Sequence, residues 1–318
     1  MRYLKHLAAT VLATTFSLAA AAQTLVVGDQ SYNARAVMEA AGVLDNLPYS
    51  LEWKQFTAGS PVAEALNVGS LDIDLLGDAP PLFLGALGAP IKVIAVSRQN
   101  LAGVAILVRK GSPIQSLEDL RGKRAAIWKG SWSQQLLFSA LDKAGVPRDT
   151  LQLRYLSALD ASHALDGGAV DVIATWEPYV TQQERQGARV LATAEGVIPA
   201  QSFVVANSQA VEHKRAQIAD FLERLKKARE WALSDPAHTE AYADAWAQRT
   251  RADRDIARAW FARARTDLAP LDQQVIADAQ KTVEFFAGLG LIKAYPAADL
   301  FDTSFGAALA GHASTAID

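Results

Sequence analysis

Residues 63–81 read AEALNVGSLDIDLLGDAPP, and the reading of this stretch decides the fold. Its first part has the spacing of a short amphipathic helix, Gly69 makes a turn, and Ile73–Leu76 is an apolar run of buried-strand length. Gly77-Asp78-Ala79-Pro80 then opens a second apolar segment, Leu82–Leu87. Pro80 and Pro81 fit the first turn of a helix, where a missing N–H costs nothing. Helix, strand and helix at this pitch describe an α/β protein whose strands feed helices through tight corners. Such a corner leaves backbone N–H groups unpaired, and the helix dipole adds to their preference for negative charge. It also reads as an ordinary turn of an α/β protein, so the rest of the chain must decide its use.

The alternation continues on both sides. Thr24–Gly28, Tyr49–Phe56 and Ile91–Val96 read as strands, with helices at Ala34–Ala41, Pro61–Asn67 and Pro81–Leu87 between them. A second series follows, with strands Val104–Arg109, Ala125–Trp128, Leu151–Leu156, Val170–Thr175 and Arg189–Ala192, and helices Gln134–Lys143 and Asp160–Asp166. This repetition predicts parallel or mixed sheets flanked by helices. Gln201–Ala206 reads as a strand that returns to the first series. From Val211 onward the apolar positions repeat at helical spacing, without a sheet of their own, and the helices are expected to pack on the first sheet. Gly306–Asp318 is small and weakly patterned, and reads as a tail. The expected organisation is two α/β lobes, with crossings near Ala102–Val108 and Gln201–Asn207. Residues 23–103 and 207–318 form lobe one, and 104–206 form an inserted lobe two. A ligand belongs between them, at the carboxyl ends of strands.

The N-terminus carries an export signature. Arg2, Lys5 and His6 precede an apolar run from Leu7 to Leu18, and Ala20-Ala21-Ala22 offers a cleavage site before Gln23. The run is too short for a membrane span, so residues 1–22 read as a signal peptide and the mature chain as periplasmic. Cysteine is absent, which removes disulfides, thiol nucleophiles, Cys metal sites and a lipidated Cys. A chain of 318 residues must then be held by its cores, and is long enough for two. Removing Arg2 and Lys5 from the 31 basic residues leaves 29 against 34 acidic ones. That mild negative balance argues against a nucleic-acid partner.

Three corners resemble one another: Gly28-Asp29-Gln30-Ser31, Gly77-Asp78-Ala79-Pro80 and Lys129-Gly130-Ser131-Trp132-Ser133. Converging on one cleft, they would hold a small anion by neutral donors. Trp132, Trp176 and Phe203 sit beside cleft loops, where rings can enclose a tail, although core packing is the rival reading of Phe203. Glu177 can meet a ligand amine, a hinge partner or solvent. Signals of catalysis are poor, because no G-x-S-x-G, H-E-x-x-H or G-x-x-x-x-G-K-[ST] motif occurs and the histidines are scattered. No cofactor and no metal is expected.

The stretches EALNVGSLDIDLLGDAPP (64–81), SPIQSLEDLRGKRAAIWKGS (112–131), ALDGGAVDVIATWEPYV (164–180) and FFAGLGLI (285–292) share an order with a known family. The chain resembles the periplasmic binding components of ABC importers for aliphatic sulfonates, taurine and nitrate. The resemblance implies a two-lobed periplasmic-binding-protein fold of type II, a small anionic ligand, a permease in the inner membrane as partner, and a monomer. It implies sulfonate contacts at Gly77, Asp78, Ala79, Pro80, Gly130 and Ser131, a polar partner at Gln30, and a W-[DE]-P segment at Trp176, Glu177 and Pro178. The chain departs from the family at Ser131-Trp132-Ser133-Gln134, where Trp132 changes the pocket, and at Asp29–Asn33. The expected role is delivery of an aliphatic sulfonate. Carriage of nitrate, an aromatic carboxylate or a pyrimidine precursor, an exported enzyme of organosulfur compounds, and a sensor module remain as alternatives.

Overall fold

Along the chain, β1 (Thr24–Gln30), α1 (Asn33–Ala40), β2 (Ser50–Phe56), α2 (Gly59–Asn67), β3 (Ile73–Gly77), α3 (Ala79–Gly85) and β4 (Ile91–Arg98) alternate as the apolar spacing predicts. A short turn, Leu101–Gly103, carries the chain into β5 (Val104–Val108), β6 (Arg124–Ile127), α4 (Trp132–Lys143), β7 (Gln152–Tyr155), α5 (Ala158–Asp166), β8 (Val172–Trp176), α6 (Tyr179–Arg185) and β9 (Arg189–Thr193). It returns in β10 (Ser202–Asn207) and continues through α7 (Ser208–His213), α8 (Arg215–Ser234), α9 (Pro236–Thr250), α10 (Arg254–Ala264), β11 (Asp267–Ala269), α11 (Gln273–Gly288) and α12 (Gly306–Leu309). The structure, a computed structural model, describes residues 23–310. The segment read as a signal peptide, 1–22, lies outside the described residues, as do residues 311–318.

Two mixed sheets result, one of six strands in the order β11-β4-β10-β3-β1-β2 and one of five in the order β7-β6-β8-β5-β9. β10 runs antiparallel to β3 and β4, and β5 antiparallel to β8 and β9. Each crossing thus lays down a strand against the direction of its sheet. Both sheets are covered on both faces. On the first, α1, α8, α9 and α10 pack one side through Val37, Phe221, Leu222, Trp246 and Phe261, while α2, α3 and α11 pack the other through Val62, Leu66, Leu82 and Val283. On the second, α4 supplies Leu136, Leu137 and Leu141 to one face, and α5 and α6 supply Leu165 and Val180 to the other. Each such aliphatic side chain contributes about 1.5–3 kcal/mol by leaving water. Without cysteine, these four layers carry the stability of the fold.

Two expectations need correction, and one gains a detail. The return crossing lies before Ser202, because β10 pairs with β3 and β4; residues 202–206 therefore belong to the first sheet and not to lobe two. The C-terminal region is mostly helical and packs on the first sheet as expected, and it also adds an edge strand there, β11 against β4. Within the stretch read as a tail, Gly306–Leu309 is helical, and Leu309, 2 % exposed, packs into the lobe-one core.

Candidate ligand-binding cleft

The carboxyl ends of β1, β2, β3, β6 and β8 face one another across a cavity of about 150 Å³. This is where open α/β sheets place ligands, because side chains there are not committed to the sheet. Lobe one contributes Gln30, Ser31 and Asn33 at the end of β1, Thr57–Ser60 after β2, and Leu75, Leu76, Gly77, Ala79 and Pro80 at the end of β3; Ser97, Gln99, Ser202, Trp260 and Thr266 also line it. Lobe two contributes Trp128, Gly130, Ser131 and Trp132 after β6, and Trp176, Glu177, Pro178 and Tyr179 after β8.

Each corner has its own local cause. At the first, Ser31 and Tyr32 both take left-handed backbone, with φ of 57° and 58°, a conformation that non-glycine residues hold only when surroundings impose it. Here the C-terminal helices impose it. Trp246 Nε1 donates to Ser31 O at 2.7 Å, Tyr242 Oη donates to Asn33 O at 3.1 Å, and Arg229 donates to Asn33 Oδ1. Asp29 accepts from the N–H groups of Ala34 and Arg35 at 3.0 and 3.2 Å, so this helix start is filled from within. At the third corner, Gly130 has φ of 69° and Phe83 lies 3.4 Å from where a Cβ would stand. Its N–H donates to Gln134 Oε1 at 2.7 Å, and Ser131 Oγ donates to Trp128 O at 2.8 Å. These donors are also spent internally. The start of α2 differs: Ala58 makes no side-chain cap, and the first-turn N–H groups of Gly59 and Ser60 have no intrahelical acceptor.

Of the residues expected at the site, Gln30, Ser31, Gly77, Ala79, Pro80, Gly130, Ser131, Trp132, Trp176 and Glu177 line the cavity. Three do not. Phe203 is fully buried in the lobe-one core against Phe301, because alternation along β10 turns Ser202 to the cleft and Phe203 away. Ser133 is fully buried and accepts from Trp128 N at 2.7 Å, which fixes the corner from behind. Asp78 is fully buried too; its Oδ1 accepts from Trp132 Nε1 at 2.7 Å, and its N–H donates to Gln201 O at 3.0 Å. Asp78 thus joins lobe one to the ring of lobe two instead of facing the cavity. That ring also lies against Gly77, 3.2 Å from where a Cβ would stand, so any side chain at 77 displaces Trp132. Of the roles open to Glu177, a hinge partner is the one seen: it accepts from Arg263 of α10 at 3.0 Å and from Thr181 N and Oγ1 at 3.0 Å each.

Asn33, Thr57–Ser60, Gln99, Trp128, Tyr179, Trp260 and Thr266 also line the cavity and were not anticipated. Thr57-Ala58-Gly59-Ser60-Pro61 follows a strand and opens a helix as the other corners do, so the same signal could have found it. Trp260 and Thr266 arrive from α10 and the turn after it, and no local pattern announces them.

The electrostatics suit an anion without a cation in contact. Among the described residues lining the cavity, none is Lys, Arg or His. Burial pushes the Asp78 carboxyl up to about 7, against the hydrogen bond from Trp132, and the Asp29 carboxyl up to about 6, against the bond from Gln55. Burial also raises Asp74, and the neighbouring Asp29 adds to the effect. Glu177 is raised by burial as well, opposed by Thr181 and Arg263. The acidic groups behind the walls are therefore partly neutral or paired, which lowers their repulsion of a bound anion. Arg229, 3 % exposed, spends its guanidinium on neutral oxygens, those of Asn33 and of Tyr242 at 3.1 Å, and so leaves positive charge just behind Asn33.

Known proteins share this architecture. The family described as NMT1/THI5 like matches residues 81–239, half of the 318-residue chain. A relative from Escherichia coli (strain K12), described as an aliphatic sulfonates-binding protein, is 35 % identical over 228 residues, covering 70 % of this chain and 72 % of its own. The crystal structure of the periplasmic aliphatic sulphonate binding protein of Escherichia coli superposes with a TM-score of 0.80 at 29 % identity, over 87 % of this chain and 91 % of that one. An alkanesulfonate-binding protein from Xanthomonas axonopodis pv. citri, solved bound to MOPS, gives a TM-score of 0.80 at 28 % identity, over 89 % and 99 %. With its two lobes, its crossings and these matches, the chain belongs to the NMT1/THI5-like family, together with those sulfonate-binding proteins.

Proposed function

We propose that this chain is a periplasmic solute-binding protein that takes a sulfonate into its cleft and hands it to the permease of an ABC importer. One observation carries the reading: the lobe-one wall is made of neutral donors, among them Gln30, Ser31, Asn33, Thr57 and Ser60, and meets a wall of rings. A sulfonate keeps its single charge at every physiological pH and spreads it over three weakly basic oxygens. It therefore needs several modest donors pointed at one place, and no proton from the protein. Charge-assisted hydrogen bonds from such groups and burial of the tail together reach the roughly 8 kcal/mol of micromolar binding. The sulfonate-binding proteins described above support the choice of head group.

Export by the N-terminal segment, absence of lipid, a monomeric state, and binding without turnover belong to the same proposal. So do direct contacts of Gln30, Ser31, Gly77, Ala79, Pro80, Gly130, Ser131, Trp132 and Trp176 with the ligand. Isothermal titration of the mature chain with propanesulfonate, nitrate and propionate tests the head group. Binding of the sulfonate alone is expected, and binding of nitrate or propionate in its place would overturn the choice. Ligand recovered unchanged after prolonged incubation is expected of a carrier; a product would make the protein an enzyme.

A further inference from the structure

Lobe two's share of the cavity is aromatic. Of the eight lining residues it provides, four carry rings: Trp128, Trp132, Trp176 and Tyr179; lobe one adds Trp260. The rings form a continuous wall. Trp132 and Trp176 meet edge to face, 6.4 Å apart at 89°, and Trp128 and Trp176 lie 6.5 Å apart at 53°. With the lobes together, protein contacts hold the wall in place. Asp78 fixes the Trp132 indole at 2.7 Å, Gly77 supports its face, and Trp260 is set by an edge contact with Trp246, 5.5 Å away at 83°. Side chains already fixed lose little freedom on binding.

We infer that this wall selects a sulfonate whose tail is a flat, uncharged aromatic ring, in preference to a flexible alkyl chain or an amino-alkyl chain. The inference rests on the reading of the cleft as a sulfonate site. The reasons are physical. A sulfonate withdraws electrons from the ring that bears it, so that ring presents a less negative face to electron-rich indoles, and aromatic pairs gain about 0.5–1.5 kcal/mol beyond the area they bury. A six-carbon alkyl chain of similar area gains no such term, and must give up its rotamers to fit between fixed walls. An amino-alkyl tail fares worse. Among the described residues lining the cavity the one carboxylate, Glu177, is held by Arg263 and Thr181, so an ammonium finds no free counter-charge.

The test compares benzenesulfonate, hexanesulfonate, taurine and benzoate by isothermal titration with the full mature chain. Benzenesulfonate is expected to bind at least tenfold more tightly than hexanesulfonate, and taurine and benzoate more weakly than either. Hexanesulfonate or taurine binding as tightly as benzenesulfonate would overturn the aromatic tail while leaving the sulfonate head intact. Benzoate matching benzenesulfonate would overturn the head reading alone, and failure of every sulfonate would remove both. Trp176→Leu should cut the preference of benzenesulfonate over hexanesulfonate about tenfold. A Trp176→Leu protein that folds and keeps the full preference would also count against the wall. The wild-type comparison decides the question if that variant does not fold.

Discussion

The bond from Trp132 to Asp78 should set much of the affinity. It crosses from lobe two to lobe one, its 2.7 Å length is that of a strong charge-assisted bond, and Asp78 has no exposure to water. The other side-chain donor to that carboxyl is the Thr282 hydroxyl, a weak partner at 3.4 Å. Trp132→Phe keeps a ring in the cleft but removes the donor. Losing a hydrogen bond to a buried charged group costs about 1.5–3 kcal/mol. Because this bond exists only when the lobes are together, the cost falls on closure, and hence weakens binding on the order of 10- to 100-fold. The carboxyl titrates at about 7, so the penalty should grow as pH rises from 6 to 8 and more of the acceptor is ionised. Isothermal titration of wild type, Trp132→Phe, Asp78→Ala and the double variant completes the cycle. A coupling above about 1 kcal/mol is expected. Effects that add within about 0.5 kcal/mol would show that the two residues do not act as a pair, and would refute the latch.

Acid should at first stabilise this protein. Asp78 and Asp29 hold their protons to about 7 and about 6 when folded, against an ordinary value of 3.8, so the folded state binds more protons between about 4 and 7. Stability is then gained as pH falls through that window and lost as pH rises through it, by about 1.4 kcal/mol per unit of separation for each group. Thermal unfolding at pH 5 and pH 7.5 checks the sign, and a lower midpoint at pH 5 would contradict it. Arg229→Lys keeps the charge but loses the fork that holds Asn33 and Tyr242, so sulfonate affinity should fall about tenfold with the fold retained. Unchanged affinity by titration would mean the ligand does not read Asn33. Gly28→Ala would put a Cβ 1.8 Å from Oδ2 of the buried Asp74, an overpacking expected to cost about 1–3 kcal/mol or more in denaturant unfolding.

Much of this molecule is legible along the chain because strand and helix periods are local. The run Ile73–Leu76 and the prolines after it predicted β3 and the start of α3 within a residue or two. Pairing partners are not local, and the edge strand Asp267–Ala269 is too short to carry an alternation that a reader can see. Corners were found by composition, but composition does not say whose donors are free. The corner at Asp29 reads as an anion site and instead fills the start of its own helix, while the start at Gly59 carries no side-chain cap. Phe203 shows the same limit within a strand, because register decides which of two neighbours faces the cleft.

The sequence by itself determined an α/β chain that crosses twice, with corners suited to an anion and no cysteine chemistry, because each rests on spacing or composition. Only the tertiary structure decided the roles within the cleft. It turned Asp78 from a contact into the anchor of Trp132, brought Arg229 and Trp246 behind a strained loop about 200 residues away in sequence, and tied Glu177 to Arg263 across the lobes. The physical reason is burial. Whether a carboxylate binds, caps or anchors depends on which donors meet it when water is removed, and those donors come from parts of the chain that sequence distance does not connect.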